Sequence, residues 1–344
     1  MDISDFDYEL PENLIAQRPL PCRDSSRMLI VNRQSETCTD SKFSALPEHL
    51  CQPDVLVLNN TRVFPARLKC KRIPSGGTIE LLLLRKVEAN VWEALGKPAL
   101  RLREGSRILC GDHRHEAQVV SVLDEGRRLI KFETDVTQLI EESGETPLPP
   151  YIRRPGESLD ADRERYQTIY AKTCGAIAAP TAGLHFTSTT LDQIQTRGVA
   201  TAEITLHVGY GTFEPVRVAN VSEHRVEPER FSISEEAALT INRRREAGGR
   251  VVAVGTTTAR ALESSVASTG EIRPSSPRDT DVTIAPGFRF RAVNALLTNF
   301  HLPRSSLLIL VSAFASRELI LSAYRHAVRE RYRFYSYGDC MLIT

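Results

Sequence analysis

One unit constrains this chain more than any other feature. It is an apolar strand, a polar turn carrying threonine with histidine or arginine, then a helix, and it recurs three times. The first copy lies between Gly175 and Val216. There GAIAA (175–179) reads as a strand and leads into the turn PTAGLHF. A helix capped by Thr187 or Ser188 and stopped at Gly198 follows, and then an alternating strand. The second copy is RVVAVGTTTARALESS (250–265), turning at Gly255. The third is AVNALLTNFHLPRSSLLILVSAFA (292–315), with the turn Thr298-Asn299-Phe300-His301 ahead of a buried helix. Such units predict a sheet flanked by helices, with ligands held at the carboxyl ends of the strands. The polar turns are therefore the expected walls of a cleft.

Residues 201–208 alternate cleanly. Ala202, Ile204, Leu206 and Val208 are apolar, while Thr201, Glu203, Thr205 and His207 are polar. Period two predicts a strand with one buried and one polar face, placing Glu203 and His207 about 13 Å apart with Thr205 between them. That row is either a site or a solvated sheet face. In the second unit the backbone N–H groups of Thr256, Thr257 and Thr258 begin a helix and form an anion seat, unless the turn merely starts the helix.

The remaining chain divides by texture. Phe6 to Arg18 reads as a short helix, RMLIVNR (27–33) as a strand, and Val55 to Leu58 as a strand entering the turn Asn59-Asn60-Thr61-Arg62. That turn is structural or, with its arginine and amides, suited to an anionic ligand. From Ala66 to about Pro149, short β-rich runs separated by Gly, Pro and charged turns predict a small antiparallel barrel, closed by PLPPYIRRPGE (147–157). The expected fold class is therefore α/β, a mixed sheet with flanking helices, carrying an inserted small antiparallel β-barrel. Residues 1–65 and 150–344 form the discontinuous α/β domain, and residues 66–149 the barrel. SISEEAALTINRRREAGG (232–249) predicts a helix with a capping box from Ser232 to Glu235, and 269–286 reads as a loop. A helix over 316–331, an aromatic strand and a final strand end the chain.

Several function classes are excluded or weakened. The net charge of +1 points to no particular partner. Seven cysteines, without a CxxC pair, argue against a disulfide framework and a zinc knuckle and fit a reducing cytosol. No secretory signal opens the chain and no apolar run reaches a membrane span. None of His185, His207, His224 and His301 shows HExxH or His-x-His spacing, so no metal is expected; GxGxxG, GxxxxGK[ST] and a nucleophile elbow are missing as well. Arginines interleaved with Tyr332, Phe334 and Tyr335 suit a phosphate backbone with stacked bases or a plain solvated helix face.

DFDYELPENLIAQRPL, VLNNTRVFPARL, PLPPYI, AAPTAGLHFT, ITLHVGYGTFEPV, VGTTTARALES, TNFHLPRSSLLILVSAFA and YRFYSYGDCMLI, in this order, resemble the S-adenosylmethionine:tRNA ribosyltransferase-isomerases of queuosine biosynthesis. The resemblance spans the whole chain. It implies transfer and rearrangement of the ribosyl part of S-adenosylmethionine onto 7-aminomethyl-7-deazaguanine at the tRNA wobble position. Epoxyqueuosine-tRNA forms, and adenine and methionine leave. It implies no cofactor beyond S-adenosylmethionine as co-substrate, and tRNA as partner. A monomer is expected, and the cysteine usage places it in the cytoplasm. A different S-adenosylmethionine enzyme, such as a methyltransferase, and a non-catalytic tRNA-binding protein are the alternatives. Adenine release separates them.

The implied chemistry needs a base for a C5′ proton beside the sulfonium and an acid for adenine departure, and histidine suits both. The candidates are His207 and Glu203 for the proton work, with His185 and His301 in the same cleft. Thr181, Thr205, Gly255, Thr256, Thr257, Thr258, Arg260 and Asn299 are expected to bind substrate, with Asn60 and Arg62 at the ribose or carboxylate. Three positions depart from the usual pattern of the family. Cys174 stands where proline is common, Glu227 where a second histidine is common, and Arg304 where an acidic residue or lysine is usual.

Overall fold

The central strands are unbroken apolar runs because both faces of the sheet are covered. The computed structural model describes residues 1–111, 115–154, 160–213 and 215–344, leaving residues 155–157 of the proline-rich exit outside. Its strands are β1 (Arg27–Asn32), β2 (Thr37–Lys42), β3 (Val55–Asn59), β4 (Thr61–Val63), β5 (Arg67–Ile73), β6 (Thr78–Glu88), β7 (Val91–Lys97), β8 (Arg107–Cys110), β9 (His115–Val122) and β10 (Arg127–Phe132). After them come β11 (Thr173–Ala176), β12 (Ala200–Leu206), β13 (Glu229–Ile233), β14 (Val251–Val254), β15 (Ser275–Thr280), β16 (Ala295–Asn299) and β17 (Cys340–Ile343). The helices are α1 (Thr137–Ser143), α2 (Asp160–Arg165), α3 (Ser188–Thr196), α4 (Glu235–Glu246), α5 (Thr256–Ser265), α6 (Ser306–Ala315) and α7 (Arg317–Arg329).

Nine strands form one mixed sheet in the order β15-β13-β12-β3-β14-β16-β17-β1-β2. In it β12, β3, β14 and β16 run parallel to one another. Alternation sorts their side chains. Val55 and Val57 join the core beneath α4, α6 and α7, whereas Leu56 and Leu58 pack on the other side with Phe43, Phe186 and Ile194. Burying a Val or Leu contributes about 1.5–3 kcal/mol, so a one-residue slip of β3 reverses both cores at once. Strands β5 to β10 close the predicted barrel in the order β10-β7-β6-β5-β8-β9, filled by Leu68, Ile79, Leu81, Val119, Ile130 and neighbours. Among the described residues no single helix is long and apolar enough to cross a membrane. The apolar α6 and the following α7 bend by 116°, and α6 is core.

The structure corrects the sequence reading in six places, one being that the expected aromatic strand over 332–337 is irregular chain with a single isolated bridge from Phe334 to Ile15. The segment Phe6 to Arg18 holds only short 3-10 turns, Ile3–Phe6 and Glu12–Leu14. The run GAIAA contributes only its first residues to β11, which leaves the large sheet and pairs with β4, so β12 takes β3 as its parallel neighbour. The cap of α4 is Ser234, which accepts from Ala237 N, two residues beyond the predicted Ser232; Ser232 remains in β13. Part of the expected 269–286 loop is β15, a polar edge strand carrying Pro277, which an edge tolerates. Finally, Cys70 and Cys110 form a disulfide, since β5 and β8 place them opposite each other with Cα atoms 4.1 Å apart. Scattered positions in sequence carry no information about such register.

Candidate active site

Parallel neighbours β14 and β16 end side by side, and the turns leaving them face each other. Gly255, at φ 92°, turns the chain from β14 into α5 without a side-chain cap, so the first amides of α5 lack intrahelical partners. Across from them, Thr298, Asn299, Phe300 and His301 leave β16. A cavity of about 50 Å³ between these turns is walled by Gly255, Thr256, Thr257, Thr298, Asn299, His301 and the Pro180-Thr181-Ala182 turn. Tyr151, Thr212, Tyr335 and Ser336 close it. Thr212 and Leu307 are shared with a cavity of about 220 Å³ bordered by Arg217, His224, Arg225, Glu227 and Arg260. The two together approach the lower end of small-molecule sites, ~300–1,000 Å³.

Two buried histidines stand at or behind this wall. His301 Nε2 lies 2.9 Å from Thr298 Oγ1, and that hydroxyl is 3.4 Å from the Asn299 carbonyl. If the hydroxyl donates to the carbonyl, it accepts from Nε2 and leaves Nδ1 as the basic atom. Burial pushes this imidazole down to about 3, so it is neutral near pH 7. His185 sits behind the wall with Nε2 3.0 Å from Asn299 Oδ1 and Nδ1 2.7 Å from Ser26 Oγ. Asn299 is oriented by its Nδ2, which donates to the Tyr335 carbonyl at 2.9 Å. The amide oxygen can only accept, so His185 donates from Nε2, a neutral tautomer held at about 4 chiefly by burial.

These shifts carry a pH prediction. Unfolded histidine takes its proton near pH 6.5, the folded pair only near 4 and 3. Their neutral burial therefore stabilises fully above about pH 6.5 and loses ground as pH falls through the interval below. For His185 the difference is worth roughly 3 kcal/mol at its acid limit. Urea midpoints are expected to fall between about pH 7 and pH 5, and the fall should shrink in His185→Gln. An identical pH slope in that variant would dissociate His185 from acid lability.

The alternating row lies elsewhere. Its apolar members enter the core, and its polar members meet the turn after β3. Asn59 Nδ2 donates to Leu206 O at 2.9 Å, Thr205 Oγ1 donates to Asn60 Oδ1 at 2.7 Å, and Thr61 Oγ1 lies 2.8 Å from His207 Nδ1. Glu203 accepts from Asn60 Nδ2 at 3.1 Å and from Lys172 Nζ at 2.7 Å. Burial lowers the His207 pKa, with Arg230 adding to the effect. His207 and Glu203 thus share a face, as expected, but neither lines the cavity that holds His301. His207 packs instead against Gly175, where a Cβ would fall 2.6 Å from its Cε1.

The other expected binding residues divide. Thr181, Gly255, Thr256, Thr257 and Asn299 come together at the cavity. Thr258 is fully buried, its hydroxyl donating to Val254 O at 2.7 Å. Arg260 borders the larger cavity, but its guanidinium is paired with buried Glu229 and donates to Val282 O at 3.1 Å. Arg62 points into a different pocket, between the barrel and the sheet domain. Tyr151, Thr212, Tyr335 and Ser336 are wall residues that periodicity could not single out; their signal was confined to the motifs PLPPYI, GYGTF and YSYGD. Of the three departures, Glu227 accepts a hydrogen bond from Arg127 of the barrel, Arg304 donates to Asp7 at 2.9 Å, and Cys174 is exposed on β11. Among the described residues no group of three or more His, Cys, Asp or Glu side chains is placed to hold a metal.

A solved structure of S-adenosylmethionine tRNA ribosyltransferase from Thermotoga maritima is similar to this chain at 36% identity, with a TM-score of 0.57, covering 99% of this chain and 100% of that one. A sequence model described as queuosine biosynthesis protein matches residues 3–343. With the match running over essentially the whole chain, the protein belongs to the queuosine biosynthesis family.

Proposed function

We propose that this protein is a monomeric, cytoplasmic transferase that moves the ribosyl part of S-adenosylmethionine onto 7-aminomethyl-7-deazaguanine at the wobble position of tRNA. The new carbon–nitrogen bond forms at the aminomethyl nitrogen, the ribosyl part is isomerised, and adenine and methionine depart, leaving epoxyqueuosine-tRNA. The observation that carries this reading is the cavity where an uncapped helix N-terminus faces a neutral buried histidine.

Each wall answers one demand of the reaction. The free amides of α5 at Thr256 and Thr257 seat the methionyl carboxylate, favoured by the positive end of the helix. His301, kept neutral by burial, takes the C5′ proton, whose removal the adjacent sulfonium assists. His185 works through Asn299, holding its amide so that Tyr335 and Ser336 close the cavity. The row of Glu203, Thr205 and His207 secures the turn bearing Asn60, Thr61 and Arg62, and serves the site by position.

The test is direct. Purified protein incubated with S-adenosylmethionine and tRNA carrying the aminomethyl precursor is expected to release adenine and methionine in step with loss of the precursor base. A folded sample giving S-adenosylhomocysteine instead would make it a methyltransferase. A sample that binds tRNA and releases neither would make it a non-catalytic binder.

A further inference from the structure

The pocket into which Arg62 points is separate from the cavity described above. It is about 680 Å³ and lies at the seam between barrel and sheet domain, walled by Phe64, Trp92, Arg62, Lys86, Arg163 and Gly175. The Phe64 and Trp92 rings pack 5.8 Å apart, giving the pocket an aromatic side. Cations crowd its rim. Lys86 is paired with Asp135 at 3.3 Å and Arg163 donates to the Glu141 carbonyl at 3.1 Å. Arg62 is exposed, and while its backbone lies in the β4–β11 pair, its guanidinium has no hydrogen-bond or ion-pair partner among the described residues. The indole N–H of Trp92 is out of solvent and unpartnered, where such a donor ordinarily finds an acceptor.

An aromatic wall with a cationic rim is the chemistry that holds an unstacked base and its flanking phosphates in single-stranded RNA. Position points the same way. Cys174 and Gly175 border the seam pocket, while Ala178, Ala179 and Pro180, at and just beyond the bend that follows β11, border the cavity of His301. Three residues span at most about 10 Å even when extended, so with a bend between them the two openings are close neighbours. An enzyme acting on one base of a loop must draw that base out of its stack, which frees the adjoining bases to be gripped as well.

We propose that the seam pocket receives a base of the tRNA anticodon loop adjoining the nucleotide being modified. That base stacks against Trp92, while Arg62, Lys86 and Arg163 hold its phosphates. This rests on the reading of the protein as a tRNA-modifying enzyme. It gives the barrel a task, since Trp92 and Lys86 are barrel residues, and it gives Arg62 a partner in RNA instead of in S-adenosylmethionine.

Trp92 is the only tryptophan in the chain, so its emission reports on this pocket alone. Precursor tRNA titrated into the full chain is expected to quench that emission saturably, with labelled-RNA anisotropy measured in parallel. RNA made abasic at the loop position on one side of the wobble nucleotide should bind roughly 10- to 100-fold more weakly and lose the quench. Arg62→Ala should raise KM for tRNA and leave KM for S-adenosylmethionine unchanged. Binding of intact tRNA without a change in emission, or abasic RNAs indistinguishable from intact, would overturn the proposal. If adenine is released while emission stays constant, the pocket assignment fails and the transferase reading stands. A base-dependent quench without adenine release supports the pocket and sinks the transferase reading.

Discussion

Replacing His301 with alanine is expected to slow adenine release by about 10²- to 10⁴-fold, the usual contribution of a placed proton-transfer group. The loss should fall on kcat, because the imidazole is assigned to proton removal and the helix amides to binding. The backbone around it is held independently: His301 N–H donates to Tyr324 OH at 3.0 Å, and its carbonyl accepts from Tyr8 OH at 2.5 Å. Truncating the ring therefore leaves the turn after β16 anchored. Single-turnover adenine release at saturating tRNA and S-adenosylmethionine checks this, beside His207→Ala as the companion variant. Parent-rate turnover by His301→Ala, with loss in His207→Ala, would move the proton work to the alternating row. The reverse pattern would assign that row to positioning alone.

The largest expected loss of stability comes from Arg260→Ala. Arg260 and Glu229 are each nearly inaccessible, and the carboxylate also accepts from Gly209 N at 3.1 Å and Thr212 Oγ1 at 3.2 Å. Removing the arginine leaves a buried carboxylate without its countercharge, which costs about 3–5 kcal/mol. That is a large share of the ~5–15 kcal/mol by which domains of this kind are stable. Urea unfolding followed by circular dichroism measures it, and adding Glu229→Gln to the variant should recover part of the loss. A midpoint unmoved by Arg260→Ala would show that the pair stabilises nothing. Because Glu229 orders Gly209 and Thr212, activity should also drop in the single variant before unfolding begins.

Much of the architecture was legible because it rests on local periodicity. The run Val55 to Leu58, the alternation over 201–208 and the Gly255 and Pro303 breaks each mark an element where the structure has one. Thr256, Thr257, Asn299 and His301 were legible as neighbours around one cavity for a further reason: parallel strands that end together must present their following turns together. What periodicity cannot supply is the identity of whatever covers a face. The polar face of β12 met Asn60, Thr61 and Lys172, brought from other parts of the chain. Arg260 sits one helical turn beyond Thr256 and looked equally available, yet Glu229 from β13 already holds its charge. The disulfide and the polar edge strand β15 escaped notice for the same cause, since both depend on pairing partners distant in sequence.

The place of β17 has a consequence for how the protein is made. This strand, Cys340–Ile343, is the last in sequence order, yet it sits inside the large sheet, hydrogen-bonded to β16 on one side and β1 on the other. Barrel contacts are drawn from one contiguous stretch and can form while synthesis continues. The sheet cannot. Until β17 emerges, β1 and β2 have no route to the rest of it, and two strand edges wait open. Synthesis of β17 thus acts as a checkpoint: a product that stops before this strand carries every side chain of the candidate site and still lacks the strand that unites its sheet.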